Sequence, residues 1–95
     1  MNIYSVIKKP VVTEKSTIAR EEDNKYLFEV DRDATKIDIR NAVEKIFKVG
    51  VVDVHTINMS GKKKRMGRVV GRRRDWKKAV ITLAPGSSIE VHEGV

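Results

Sequence analysis

Cysteine is absent from this sequence of 95 residues, and proline (two residues) and histidine (two residues) are scarce. Without cysteine the chain can form neither a disulfide nor a thiolate metal site. No apolar run approaches the roughly 20 residues that a membrane-spanning helix needs. The opening residues, MNIYSVIKKP, lack the apolar core and the small-residue cleavage site of a signal peptide.

Residues suited to catalysis or metal binding are also scarce. Neither His55 nor His92 has a second ligand at metal-binding spacing. Asp31 and Asp33 resemble the start of a calcium-binding loop, but the glycine and the terminal glutamate do not follow. No Ser or Thr has a convincing general base beside it, and residues 61–67 lack the ending of a phosphate-binding loop. We therefore expect no enzyme, no metal and no cofactor.

Positive charge is abundant and unevenly placed. The chain carries +7, with 20 Lys and Arg against 13 Asp and Glu. Between Lys62 and Lys78 there are ten basic residues and one acid, Asp75, so this stretch carries +9 and the remainder carries −2. A concentrated basic patch within a slightly acidic domain is typical of a protein that binds a polyanion.

Periodicity predicts the regular elements around this patch. Thr13 can begin a short helix, with Ile18 and Ala19 facing the core before a polar turn at residues 21–24. Thr35 is a good N-cap with Asp38 at the third helical position, so a longer helix is predicted to follow and to end at a left-handed Gly50. Strands are predicted at Lys25 to Asp31, Val51 to Met59 and Trp76 to Ala84, with shorter ones near Ile3 to Ile7 and Ile89 to Val91.

This order of elements predicts a single α+β domain over residues 1–95. A small antiparallel sheet of three to four strands would carry two helices on one face. The last two long strands would be joined by a basic hairpin loop over residues 60–75, which is longer than most hairpin connections. The sequence of that loop is SGKKKRMGRVVGRRRD.

The loop is the chemical feature of the sequence, and its cations suit phosphate groups. Arginine can grip phosphate with a planar fork, whereas lysine acts as a point charge. Release of counterions from a nucleic acid would drive binding. The predicted RNA contacts are Lys62, Lys63, Lys64, Arg65, Arg68, Arg72, Arg73, Arg74, Trp76, Lys77 and Lys78, with Lys8, Lys9, Lys15 and Lys36 as secondary candidates.

Other interpretations of the patch stay open at this point. A basic run can also be a nuclear targeting signal, an anionic-membrane patch or a solvated loop. Trp76 either packs on the sheet or stacks on a base. An RNA-recognition motif has a similar architecture, but its aromatic signature is absent here. A stand-alone RNA-binding regulator and a protein-interaction module would also fit the charge.

Three segments carry a family resemblance: KPVVTEKS (9–16), RDATKIDIRNAVEKIFKV (32–49) and GRRRDWKKAVITL (71–83). Together they closely resemble the bacterial-type large-subunit ribosomal protein twenty-three. The resemblance implies a ribosomal protein that binds large-subunit ribosomal RNA beside the exit of the nascent-chain tunnel, next to other ribosomal proteins. It also implies a docking point for trigger factor and the signal recognition particle, with Glu14 as the residue that would bind the chaperone. Favourable electrostatics at a helix start explain Glu14 equally well. It places the protein on a cytoplasmic ribosome, with an organellar ribosome left open.

Overall fold

The computed structural model describes residues 2–60, 63–66, 69–72 and 75–89. Within these residues the chain forms three helices and six strands. The helices are α1 (Ile3–Val6), α2 (Glu14–Asp23) and α3 (Lys36–Phe47). The strands are β1 (Ile7–Pro10), β2 (Lys25–Val30), β3 (Val51–Met59), β4 (Lys63–Met66), β5 (Val69–Arg72) and β6 (Trp76–Leu83).

Four of the strands form one antiparallel sheet in the order β1-β2-β6-β3, while β4 and β5 form a separate two-stranded sheet. The last strand, β6, therefore lies in the interior of the main sheet, between β2 and β3. The predicted α+β class and the small antiparallel sheet are confirmed.

One face of the main sheet is covered by helix and forms the core. Alternate residues of β6 are almost completely buried, namely Ala79, Ile81 and Leu83. An apolar stripe of α3 packs against this face, and Phe47 on that helix stacks on Phe28 of β2 with ring centroids 5.8 Å apart. Burying each large apolar side chain contributes about 1.5–3 kcal/mol. The residues that α3 gives to the core are Ile39, Ala42 and Val43, with Ile46 and Phe47 at its margin.

The start of α3 confirms the predicted capping box. Thr35 Oγ1 accepts a hydrogen bond from the Asp38 backbone N–H at 3.2 Å, and Asp38 Oδ2 accepts one from the Thr35 N–H at 3.0 Å. The end differs from the prediction, because the left-handed residue is Lys48 (φ 54°) and not Gly50. Gly50 instead allows a close approach of backbones, since a Cβ there would lie 3.3 Å from the Cβ of Ala84.

The helix predicted at Thr13 is present as α2, but its end and its apolar side differ from the prediction. It continues through the polar residues expected to form a turn and ends at Asp23, after which Asn24 adopts the left-handed conformation (φ 53°). Ile18 is 46% exposed and does not face the core, which α1 and α3 fill instead. At the start of the helix, Ser16 completes a capping box with Thr13.

The two shorter strand predictions are wrong in part. Residues 3–6 are helical because the Asn2 side chain accepts a hydrogen bond from the Tyr4 N–H and caps α1, and the strand β1 begins only at Ile7. Ile89 lies in the core without joining a strand. Residues 90 and 91, the rest of that prediction, lie outside the described residues.

Two polar side chains tie the edges of the fold together. Asn24 Nδ2 donates to the carbonyls of Ala84 (3.2 Å) and Ser87 (3.1 Å), so the end of α2 is held at the end of β6. Arg40 Nη2 on α3 donates to the carbonyls of Val51 (2.8 Å) and Val52 (3.3 Å) at the start of the edge strand β3.

The capping box makes stability depend on acid pH. Hydrogen bonds from the Thr35 backbone and side chain lower the pKa of Asp38 below its ordinary 3.8. A lowered folded-state pKa stabilises the protein above the ordinary value, and this stabilisation disappears as the pH falls through the folded pKa. Asp38→Asn should therefore lower the melting temperature at neutral pH, and its deficit relative to wild type should shrink below about pH 4.

The matched control is Glu21→Gln, which removes one exposed carboxylate outside the capping box. Thermal unfolding followed by circular dichroism between about pH 2.5 and 7 gives the comparison. Parallel curves for Asp38→Asn and wild type across this range would show that the carboxylate contributes nothing pH-dependent to the helix start.

Candidate nucleic-acid interface

The basic segment, residues 60–75, leaves the main sheet at one end, after Met59 on β3. It returns to the sheet at Trp76 on β6. The segment is not a simple loop, because β4 and β5 pair within it from Lys63 opposite Arg72 to Met66 opposite Val69. Four of the predicted RNA contacts therefore lie in a two-stranded ribbon: Lys63, Lys64, Arg65 and Arg72. Lys62, Arg68, Arg73 and Arg74 lie outside the described residues.

The sheet face that carries no helix brings three predicted residues together beside this ribbon. Lys9 pairs with Glu29, and Glu29 with Lys78, so these residues form one row across β1, β2 and β6. Trp76 lies two residues before Lys78 on the same face, at the point where it pairs with Met59. We call Lys9, Lys78 and Trp76 the open-face corner. Lys9 and Lys78 are two strand spacings apart, roughly 9.5 Å.

An ion pair within this row is weak. Lys9 Nζ lies 3.9 Å from Glu29 Oε1, and the Lys9 side chain is 70% exposed. Only the lysine is exposed, because the Glu29 side chain is 14% exposed. At 3.9 Å the contact is long for an ion pair, and most of the Lys9 side chain faces solvent.

Lys77 lies on the opposite face from Lys78 and has a partner in the protein. Its Nζ donates to the carbonyl oxygen of Ala34 at 2.7 Å, just before the N-cap of α3. A hydrogen bond to a charged group is worth about 1.5–3 kcal/mol. The alternation of residues 77 and 78 thus separates two roles: Lys77 holds α3 to the sheet, while Lys78 is at the open face. Lys77 as an RNA contact stays a prediction.

Of the remaining predicted cations, Lys8 is exposed on β1, and Lys15 and Lys36 lie on helix starts. Lys36 is the first residue of α3, two positions after Ala34, and so lies at the ribbon end of the sheet but on the helix side. Lys15 is in the first turn of α2, and it and Lys36 are exposed. The structure therefore does not gather Lys15 or Lys36 into the open-face corner.

A cavity at the base of the ribbon contains residues that the sequence did not single out. It has a volume of about 520 Å³ and lies where β3 ends and β6 begins. Arg32 and Asn58 were missed, since one sits in a turn and the other at a strand end, and only the folded chain brings them beside Trp76. The lining residues are Arg32, Asp33, Asn58, Met59, Ser60, Asp75 and Trp76.

Sites for other chemistry do not appear in the described part of the chain. No group of three His, Asp or Glu residues there could hold a metal ion. None of its helices is both long enough and apolar enough to cross a membrane. What the described residues offer is a folded α+β body with a basic ribbon at one end.

The fold and charge distribution define a small α+β protein with a basic extension, and comparison with known proteins gives its family. The family model described as ribosomal protein L23 matches residues 5–91. The chain is 59% identical to the large ribosomal subunit protein uL23 of Syntrophus aciditrophicus, over 98% of this chain and 97% of that one. It is 58% identical to uL23 of Desulfatibacillum aliphaticivorans over the full length of both chains. For uL23 of Geobacter sulfurreducens the identity is 57%, over 98% and 99%.

The chain therefore belongs to the ribosomal protein L23 family. This confirms the resemblance drawn from the three sequence segments. Members of the family are structural ribosomal proteins and not enzymes, which also confirms the prediction of a non-catalytic protein.

The two lysines at the start of β6 should respond differently to substitution. Lys77→Ala removes the hydrogen bond to Ala34 and should lower the free energy of unfolding by about 1–3 kcal/mol. Lys78→Ala should change it by less than about 0.5 kcal/mol, because this side chain lies on the face without helix. It should instead flatten the salt dependence of RNA binding by roughly 0.7–0.9 in log–log slope.

Urea unfolding and RNA titrations at several salt concentrations, run on both variants, measure the two effects. The variants have the same change in charge and are adjacent in sequence, so each is the control for the other. If Lys78→Ala were the less stable variant, the assignment of the two faces would be wrong.

Proposed function

We propose that this protein is a structural constituent of the large ribosomal subunit, where it binds ribosomal RNA near the exit of the nascent-chain tunnel. The observation that carries this proposal is the charge segregation: the stretch from Lys62 to Lys78 has +9, against −2 for the rest of the chain. The names of its bacterial relatives assign those proteins to the large subunit. Bacterial ribosomes work in the cytoplasm, so we place the protein there.

The ribbon and the open-face corner form one continuous RNA interface in this proposal. The ribbon begins and ends at the pair Met59 and Trp76, and Lys78 and Lys9 continue the interface onto the sheet. Phosphates that meet these cations release counterions, which drives association without a requirement for sequence. Neutralised RNA strands can then pack closely, and the protein acts by positioning them.

The cations of the ribbon also affect its folding, because they repel one another in the absence of a partner. The ladder from Lys63 opposite Arg72 to Met66 opposite Val69 has only four paired positions, and an isolated two-stranded ribbon is marginal in water. Basic residues add repulsion between neighbouring positions. An anionic partner removes that repulsion, so RNA binding and ribbon order are coupled.

The ribbon should be less protected from hydrogen exchange in free protein than when bound to RNA.

We further propose that the start of α2 is the docking site for trigger factor and the signal recognition particle. Glu14 is exposed in the first turn of α2, and Ile18, four residues later, lies on the same side of the helix and is also exposed. Val12, two residues before Glu14 in the sequence, is also exposed. A carboxylate next to aliphatic surface offers a partner both a charge to pair with and apolar area to bury.

The two proposed surfaces lie on different elements of the domain. The ribbon leaves the sheet at Trp76, whereas Glu14 begins α2 three residues after Val11, whose N–H donates to the carbonyl of Leu27 in the middle of β2. RNA on the ribbon and a factor at the start of α2 would therefore contact different elements.

Replacing six cations of the basic segment tests the RNA interface. A variant with Lys62, Lys63, Lys64, Arg72, Arg73 and Arg74 changed to Ala should bind a large-subunit RNA fragment more weakly. The log–log salt slope should fall by roughly 0.7–0.9 for every phosphate that the variant no longer neutralises. Lys25→Ala with Lys45→Ala removes exposed cations away from the ribbon and is the control. An unchanged slope in the six-residue variant would move the interface elsewhere.

Reversing the charge at Glu14 tests the docking surface. Glu14→Lys should weaken binding of purified trigger factor to ribosomes about tenfold, which is ~1.4 kcal/mol. Affinity for the RNA fragment should not change, because the two surfaces are separate. Glu22→Lys makes the same charge change at the other end of α2 and should leave both affinities close to wild type. An equal reduction of both affinities in Glu14→Lys would contradict separate surfaces.

A further inference from the structure

The cavity at the base of the ribbon has the composition of a nucleobase site and not of a phosphate site. Its volume of about 520 Å³ falls within the range of about 300–1,000 Å³ usual for ligand pockets. Asp33 lines it, and its carboxyl group disfavours phosphate. The cations that suit phosphate lie mainly outside it, on the ribbon and at the open-face corner.

The lining contains both kinds of group that hold an unpaired base, namely flat stacking surfaces and hydrogen-bonding groups. RNA-binding proteins stack such bases on aromatic rings or guanidinium planes and contact their polar edges through hydrogen bonds. Trp76 and Arg32 can supply the stacking surfaces, and Met59 adds an apolar one. The carboxylate of Asp33 can accept hydrogen bonds from the edge of a base, and Asp33 and Arg32 are exposed.

We propose that this cavity takes one unpaired nucleobase of the bound RNA, with guanine preferred. The proposal rests on the proposed function and deepens it, since it adds base selection to an interface that otherwise recognises phosphates. Guanine is favoured because its N1–H and N2 amino group are adjacent donors, which a single carboxylate such as that of Asp33 can accept together. Uracil offers one N–H donor flanked by two carbonyl oxygens, so it would meet Asp33 less well.

The position of the cavity fits this assignment. Ser60 and Asp75 line it, and they are the residues at which the basic segment begins and ends. An RNA backbone held by the ribbon therefore passes the mouth of the cavity. A nucleotide that leaves the stack at this point can insert its base while its phosphate stays with the cations.

Trp76 is the only tryptophan in the chain, so its fluorescence reports on the cavity directly. The full-length protein would be titrated with the pentanucleotides UUGUU, UUAUU, UUCUU and UUUUU at one fixed salt concentration. UUGUU should quench the fluorescence and bind about tenfold more tightly than UUUUU. Asp33→Asn should remove this preference, because the amide offers one acceptor instead of two. Asp53→Asn, an exposed carboxylate on β3 outside the cavity, is the matched control.

A second measurement separates this inference from the proposed function. The salt slope for the large-subunit RNA fragment should be the same in Asp33→Asn and wild type, since the substitution removes no cation. Equal affinity of wild type for all four pentanucleotides, or an unchanged guanine preference in Asp33→Asn, would falsify the base site. If wild type itself bound the large-subunit fragment without salt dependence, the RNA-binding function would fail with it.

Discussion

Burial of one face of β6 is the constraint on which the remaining architecture depends. Ala79, Ile81 and Leu83 are almost fully excluded from solvent, and the strand that carries them is paired on both sides. The same alternation places Lys78 and Trp76 on the other face and directs Lys77 to the carbonyl of Ala34. A shift of register by one residue would exchange these faces. The core therefore fixes which side chains remain for RNA.

Charge segregation follows from the same arrangement. The basic ribbon is inserted between β3 and β6, so its cations are held outside the sheet whose pairing defines the core. The folded body can consequently be stable while the ribbon carries a charge that would oppose compact packing. The acidic remainder also leaves Glu14 and its neighbours on α2 away from the cations of the ribbon. The two proposed surfaces thus differ in charge within a chain of 95 residues.

Local signals predicted the elements of this fold well, and tertiary contacts decided the rest. The capping box at Thr35 and Asp38 and the alternation of β6 are local patterns, and the structure confirms both. Gly50 was predicted to be the left-handed residue because glycine usually takes that position. That prediction is wrong, and Gly50 instead leaves room for the Cβ of Ala84. The hydrogen bond of Lys77 and the cavity beside Arg32 and Trp76 join residues more than 40 positions apart, which no periodicity encodes.

The guanidinium of Arg40 changes how the edge of the main sheet can interact with other chains. β3 is an edge strand of nine residues, and an exposed edge is a template on which a second chain can add. Arg40 occupies the carbonyls of Val51 and Val52, and the register there is broken between Val51 and Asp53. At this end of β3 the carbonyl acceptors are therefore occupied within the chain itself. This makes the start of the edge strand a poorer template for the addition of a second chain.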